Sequence, residues 1–176
     1  MEHPVTRGWW RRNALALAAL VLLVPATVGV IAANEWSDWD LGHATKATTV
    51  DAGDATTYGG ATIGPASAEF TDDAGIPPGT RVVHATVLIT PGDEPISCLS
   101  PILRETGGAQ RQWDEASFEL DRDYDESLKT SCDSELPIRY SLTLDYLVPE
   151  DATGPFALEL STGDALPQFV RLVVEP

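Results

Sequence analysis

The chain has 176 residues, 27 of them acidic and 11 basic, with 43% hydrophobic side chains and a net charge of −16. That length allows one modest domain plus a short extra element. Because Glu2, Arg7, Arg11 and Arg12 all precede a long apolar run, the rest of the chain holds 26 acids and 8 bases, a net charge of −18. A field of that sign excludes nucleic acid as a partner and disfavours adsorption to anionic lipid, leaving cationic partners, divalent ions or plain solubility as its use.

The first element is the apolar run. From Ala14 to Ala33 it carries no charge and one hydroxyl, Thr27, and at 1.5 Å per residue it is long enough to cross a hydrocarbon core about 30 Å thick. Arg7, Arg11 and Arg12 stand before it and Glu35, Asp38 and Asp40 after it. The positive-inside bias then predicts a cytoplasmic N-terminus and an exported C-terminus. Trp9 and Trp10 flank one end and Trp36 and Trp39 the other, as side chains of the two headgroup belts do. The expected order is a cytoplasmic basic leader over residues 1–12 and a transmembrane helix over 13–33, with the lipid bilayer as its partner and the cell membrane as its place. A cleaved signal peptide is the alternative, with Val30 and Ala32 as the small residues of a site after Ala32. Against it, the run exceeds the roughly 7 to 15 apolar residues of an ordinary signal sequence.

Residues 34–60 are rich in Ala, Thr, Gly and Asp and show no sustained periodicity. They read as a flexible stalk that spaces the following domain about 25 to 30 Å from the bilayer, with Thr45–Val50 as an optional short strand. From residue 61 the pattern changes to period two. In IRYSLTLDYLV, Ile138, Tyr140, Leu142, Leu144, Tyr146 and Val148 share one face, the mark of a half-buried strand. RVVHATVLIT repeats it with Val83, Ala85, Val87 and Ile89, FALEL with Phe156, Leu158 and Leu160, and FVRLVVE closes the chain similarly. Pro77-Pro78-Gly79, Pro91-Gly92-Asp93, Gly107-Gly108, Gly154-Pro155 and Gly163-Asp164 supply turn chemistry between these runs. About seven short strands over residues 61–176 predict an antiparallel, immunoglobulin-like β-sandwich outside the membrane, with a small barrel as the other architecture.

Cys98 and Cys132 are the two cysteines. Both fall in the part expected to be exported, where an oxidising compartment permits a disulfide, and two cysteines without a histidine pair do not make a zinc site.

The succession TTYGGATI, IPPGTRVVHATVLI, a cysteine before SPILRETGGAQRQW, a second cysteine, YLVPEDATGPFALEL and FVRLVVEP resembles a group of uncharacterised actinobacterial envelope proteins. They have a short basic-aromatic leader, one membrane helix and an immunoglobulin-like outer domain. The resemblance covers most of the chain and implies fold and place; it carries no catalytic residue across.

Three constellations remain as candidate chemistry. LDRDYDES places Asp121, Asp123 and Asp125 at alternate positions, as a calcium loop does, but Glu126 stands where the sharp turn needs glycine and Cys132 where a bidentate glutamate would close the loop. SLKTSCD resembles the cysteine strand of sortase transpeptidases, with His84 and Arg139 as the partners that chemistry requires; the spacing before Cys132 is one residue too long, and Cys98 is available to consume the thiol. Trp113 is the one tryptophan of the outer domain, either a core packer or an exposed anchor for a partner. The expected function is therefore a membrane-anchored, non-catalytic interaction or accessory module of a bacterial envelope. It needs no cofactor, and another envelope protein is its expected partner.

Overall fold

The computed structural model describes residues 7–71, 76–120, 128–133, 135 and 137–176. It divides into two compact units, Met1–Gly42 and His43–Pro176.

The first unit is a single helix, α1, over Arg7–Gly42. Its apolar middle lacks any charge that would oppose helix formation in lipid, and the interior Pro25 is tolerated where backbone adjustments re-satisfy the freed carbonyl. α1 is long and apolar enough to cross a membrane, with a best window of mean hydropathy 2.6, none of it buried within the structure. Those properties fit one membrane span or a signal anchor. The helix outruns the expected 13–33 by nine residues at its C-terminal end, because Glu35, Trp36, Asp38, Trp39 and Leu41 include no helix breaker and Gly42 is the first glycine after Gly29.

The second unit is built of nine strands among the described residues: β1 Lys46–Val50, β2 Thr56–Tyr58, β3 Ala61–Thr71, β4 Thr80–Thr90, β5 Ile102–Glu105, β6 Gln112–Trp113, β7 Tyr140–Pro149, β8 Phe156–Leu160 and β9 Gln168–Val174. They form two sheets, ordered β1-β9-β8-β5-β6 and β2-β3-β4-β7. The second is antiparallel throughout, whereas the first is mixed, because β1 runs parallel to β9. The stalk expected over 34–60 is thus replaced by the end of α1 and by β1 and β2. Val50 supplies the reason for β1: it is buried in the core while Lys46 to Thr49 stay exposed, so one apolar side chain and the ladder to β9 hold an otherwise polar strand.

The alternating faces pack as the sequence predicts. Val83, Ala85, Val87 and Ile89 of β4 and Leu142, Leu144, Tyr146 and Val148 of β7 are fully buried, and join Phe156, Leu158 and Leu160 of β8 in one core shared by both sheets. Ile138 departs from its expected place, being 64% exposed and outside β7, because Pro137 just before it has no N–H to extend the ladder. β3 is the longest of the strands that the period-two reading did not single out, the others being β2, β5 and β6. Gly64 and Pro65 interrupt its pattern, and the register to β4 shifts there between Ile63 and Ala66, as Pro within a sheet requires. The outer edge of β7 is covered by loop backbone: Ala116 N–H donates to the Asp145 carbonyl at 2.8 Å and Thr143 N–H to that of Lys129 at 2.7 Å. Covering an edge in this way removes a template for aggregation.

Candidate functional site

Cys98 and Cys132 are bonded to each other, with Cα atoms 5.3 Å apart and a separation of 34 in sequence. Neither thiol is then available as a nucleophile. The two other residues of the transpeptidase pattern have different surroundings: His84 Nδ1 lies 2.8 Å from Asp145 Oδ1, its neighbour across β4 and β7, and Arg139 is exposed. Asp121, Asp123 and Asp125 lie outside the described residues. Among the described residues no three metal-ligating side chains are grouped to hold an ion.

On α1 the expected interface residues are all turned outward. Trp9, Trp10, Trp36 and Trp39 are 47%, 57%, 70% and 48% exposed, and Arg11 and Arg12 are exposed beside the first pair. Trp113 is half-buried against the core, its ring centroid 6.0 Å from that of Phe156 in an edge-to-face arrangement, and the Arg111 guanidinium lies 5.6 Å from its ring.

Two charge networks went unforeseen. On the first sheet, the buried Glu159 carboxylate accepts from Arg104 Nε at 2.8 Å and from Arg171 Nη2 at 2.6 Å. One carboxylate under two guanidiniums is the arrangement a buried acid needs to stay charged. At the end of β5, Glu105 accepts from Arg111 through Nε at 3.0 Å and Nη2 at 3.1 Å, while Arg111 Nη1 reaches Asp151 at 2.8 Å. The Arg111 hydrogen bonds hold the Glu105 carboxyl below its ordinary value, outweighing the opposing effect of burial. In the core, burial pushes the Tyr146 hydroxyl well above its ordinary range. The alternation of sheet residues gives no hint of these pairs, since strand pairing brings Arg104 to Glu159 and Arg111 to Asp151 from 55 and 40 positions away.

Among the described residues a half-open depression of about 470 Å³ lies where three turns meet. Its first wall is the Gly59-Gly60 turn between β2 and β3. Tyr58 pairs with Ala61 across it, and the φ values of 57° and 82° at the two glycines are those of the tight turn that two-residue hairpins favour. The second wall is the loop after β4, from Asp93 to Ser97, and the third is the turn Thr162–Ala165 between β8 and β9. These walls are tied together by backbone. Leu99 N–H donates to the Ser161 carbonyl at 2.8 Å. Tyr58 Oη accepts from Thr162 N–H at 3.1 Å and donates to the Gln168 carbonyl at 2.8 Å, and the disulfide holds Cys98 at the root of the second wall. The turns at Pro91-Gly92-Asp93 and Gly163-Asp164 were legible as Gly and Pro punctuation, whereas Gly59-Gly60 fell in the segment expected to be a stalk, and the convergence of all three depends on which strands pair.

Comparison with protein-family models, with curated proteins and with solved structures found no match for this chain.

Proposed function

We propose that the chain is a single-pass, membrane-anchored interaction module of a bacterial envelope, with its N-terminus in the cytoplasm and its β body outside. One observation carries the reading: α1 presents an apolar window of mean hydropathy 2.6 with none of it buried, a surface that only lipid or another apolar partner can cover. The direction follows from charge, three arginines before the run and three acids after it. Support for export comes from the Cys98–Cys132 bond, a link that persists in oxidising compartments and is rare in the cytosol.

The β body is read here as immunoglobulin-like on its connectivity. β4 hands over to β5, β6 to β7 and β7 to β8, each time crossing from one sheet to the other, as Greek-key sandwiches do. One feature marks it off from antibody-type domains: a disulfide that precedes β5 and β7 where antibody domains link two core strands across the sandwich.

The chain contains two lysines, Lys46 and Lys129, both in the β body, so lysine reactivity reports which side of a membrane that body occupies. A membrane-impermeant amine reagent added to intact cells should modify both. Modification that appears only after lysis would overturn the orientation.

A further inference from the structure

We propose that β3 pairs along its free edge with β3 of a second copy of this chain, antiparallel and centred on Ala68, so that the β2-β3-β4-β7 sheets of two chains join edge to edge. The inference rests on the reading of the β body as an interaction module and names its partner.

The hydrogen-bond pattern of the sheet shows which backbone groups that edge presents. On β7, the Asp145 carbonyl and the Thr143 N–H both turn away from β4, since they bond to Ala116 and Lys129 of the covering loops. Alternate residues of an antiparallel strand direct their backbone to opposite neighbours. Leu142, Leu144 and Tyr146 therefore bond to Val87, Ala85 and Val83 on β4, which leaves His84 and Thr86 to bond to Glu69 and Ser67 on β3. By the same alternation Ala66, Ala68 and Phe70 point their N–H and C=O groups away from β4. β2 covers β3 only over residues 61–63, and among the described residues no backbone bond reaches Ala66, Ala68 or Phe70 from that side.

The side chains of the same three residues are half-buried hydrophobics at the rim of the core, so an added strand completes their burial. The other edges offer less. β7 is covered, β2 and β6 have three and two residues, and β1 turns only Ala47 and Thr49 outward, because Lys46 N–H bonds to the Pro167 carbonyl just before β9.

The residues of the window select a second copy as the occupant. In an antiparallel ladder outward-pointing residues must face outward-pointing residues. Centring on Ala68 achieves this: Ala68 faces the partner's Ala68, and Phe70 faces the partner's Ala66, a large side chain against a small one on the core side. On the solvent side the exposed Ser67 faces the partner's Glu69 in the close, non-hydrogen-bonded position, where a hydroxyl can donate to a carboxylate. The next register in one direction sets Glu69 against the partner's Glu69, and like charges directly opposed are unfavourable. In the other direction it sets Phe70 against the partner's Gly64, inside the bulge, and shortens the ladder. Every contact of the centred register occurs twice, so the pairing is self-complementary and closes at two copies.

The test uses the full chain in micelles of an uncharged detergent at physiological ionic strength, where repulsion between two acidic bodies is screened, with mass followed by sedimentation equilibrium across a dilution series. A reversible monomer–dimer equilibrium is expected. Ser67→Glu opposes like charges at both ends of the window and should weaken it about tenfold. Ser67→Lys sets ammonium groups against the same carboxylates and should tighten it, and opposite effects from one exposed position cannot come from misfolding. The same two changes at Ser141, exposed on that face but two strands away, should leave the equilibrium unchanged. Chains carrying Ser67→Cys and Glu69→Cys separately should form an intermolecular disulfide readily only when mixed. Opposed Cα atoms lie about 4.5 Å apart and diagonal ones about 7 to 8 Å, beyond the ordinary reach of the bond. A chain that stays monomeric, a dimer indifferent to both Ser67 changes, or cross-links that form equally within each variant alone would overturn the proposal. Association in micelles does not depend on the compartment, so a failure here leaves the anchored, exported reading standing, and a failure of the lysine-modification test leaves this one standing.

Discussion

The helical unit and the β body place their apolar side chains in opposite ways. In the β body the large apolar side chains of β4, β7 and β8 disappear into one core, and the acids that remain buried, Glu105, Asp145 and Glu159, each meet a cationic or imidazole partner. In α1, Leu15, Leu20, Val21, Leu22 and Leu23 stand 59% to 87% exposed. The difference teaches how burial divides the chain: water drives the apolar side chains of the β body inward, while α1 keeps an apolar surface, long enough to cross a membrane, uncovered.

The comparison breaks most visibly if α1 is given charge. Replacing Leu20 and Leu23 by Asp and Arg should cost insertion about 5 to 7 kcal/mol on the translocon scale and move the protein out of the membrane fraction, while the circular dichroism signature of the β sheets persists. Retention in the membrane after that change would show that something other than α1 anchors the chain. One substitution made in both regions sharpens the contrast. Leu144→Ala, in the core, should lower β-body stability by about 2 to 5 kcal/mol, whereas Leu22→Ala on α1 should leave the melting transition of that body where it was. Reduction of the Cys98–Cys132 bond should cost the β body about 4 kcal/mol for a closed loop of this length, and should leave membrane retention unchanged.

The smallest effect concerns acid. Arg111 lowers the Glu105 pKa from its ordinary 4.5 in the folded protein, so the pair's stabilisation is fully present above that value and fades as pH falls through the folded one. Glu105→Gln should therefore lose less stability than the native protein between pH 5 and pH 2, as followed by denaturant unfolding at each pH. Parallel curves would mean that the Glu105–Arg111 contact contributes nothing in solution.

Legibility followed the physics of each region. α1 and the alternation of β4, β7 and β8 could be read directly, since a long uncharged run and a period of two are local properties of the chain. The pairing of Cys98 with Cys132 followed from there being two cysteines. β3 hid behind Gly64 and Pro65, whose bulge breaks the alternation, and β1 could be read only as an optional strand over Thr45–Val50, because four of its five residues face water and only Val50 reports a core. The depression was the least legible feature. Asp93 and Asp164 each looked like an ordinary turn residue and Gly59 like part of a stalk, and only the register of β2 on β3 and the backbone bond from Leu99 to Ser161 bring them to one place. The Glu159 pairs were hidden for the same reason, as Arg104 and Arg171 reach it from neighbouring strands.

The central claim is that α1 remains as an anchor on a β body that is oxidised outside the membrane. The intact mass of the chain purified from the membrane fraction without reductant, taken before and after reduction, tests both halves at once. The account predicts a chain that retains residues upstream of Ala33 and gains two hydrogens on reduction. A chain beginning at Ala33 or Asn34, or one whose mass is unchanged by reduction, would contradict it.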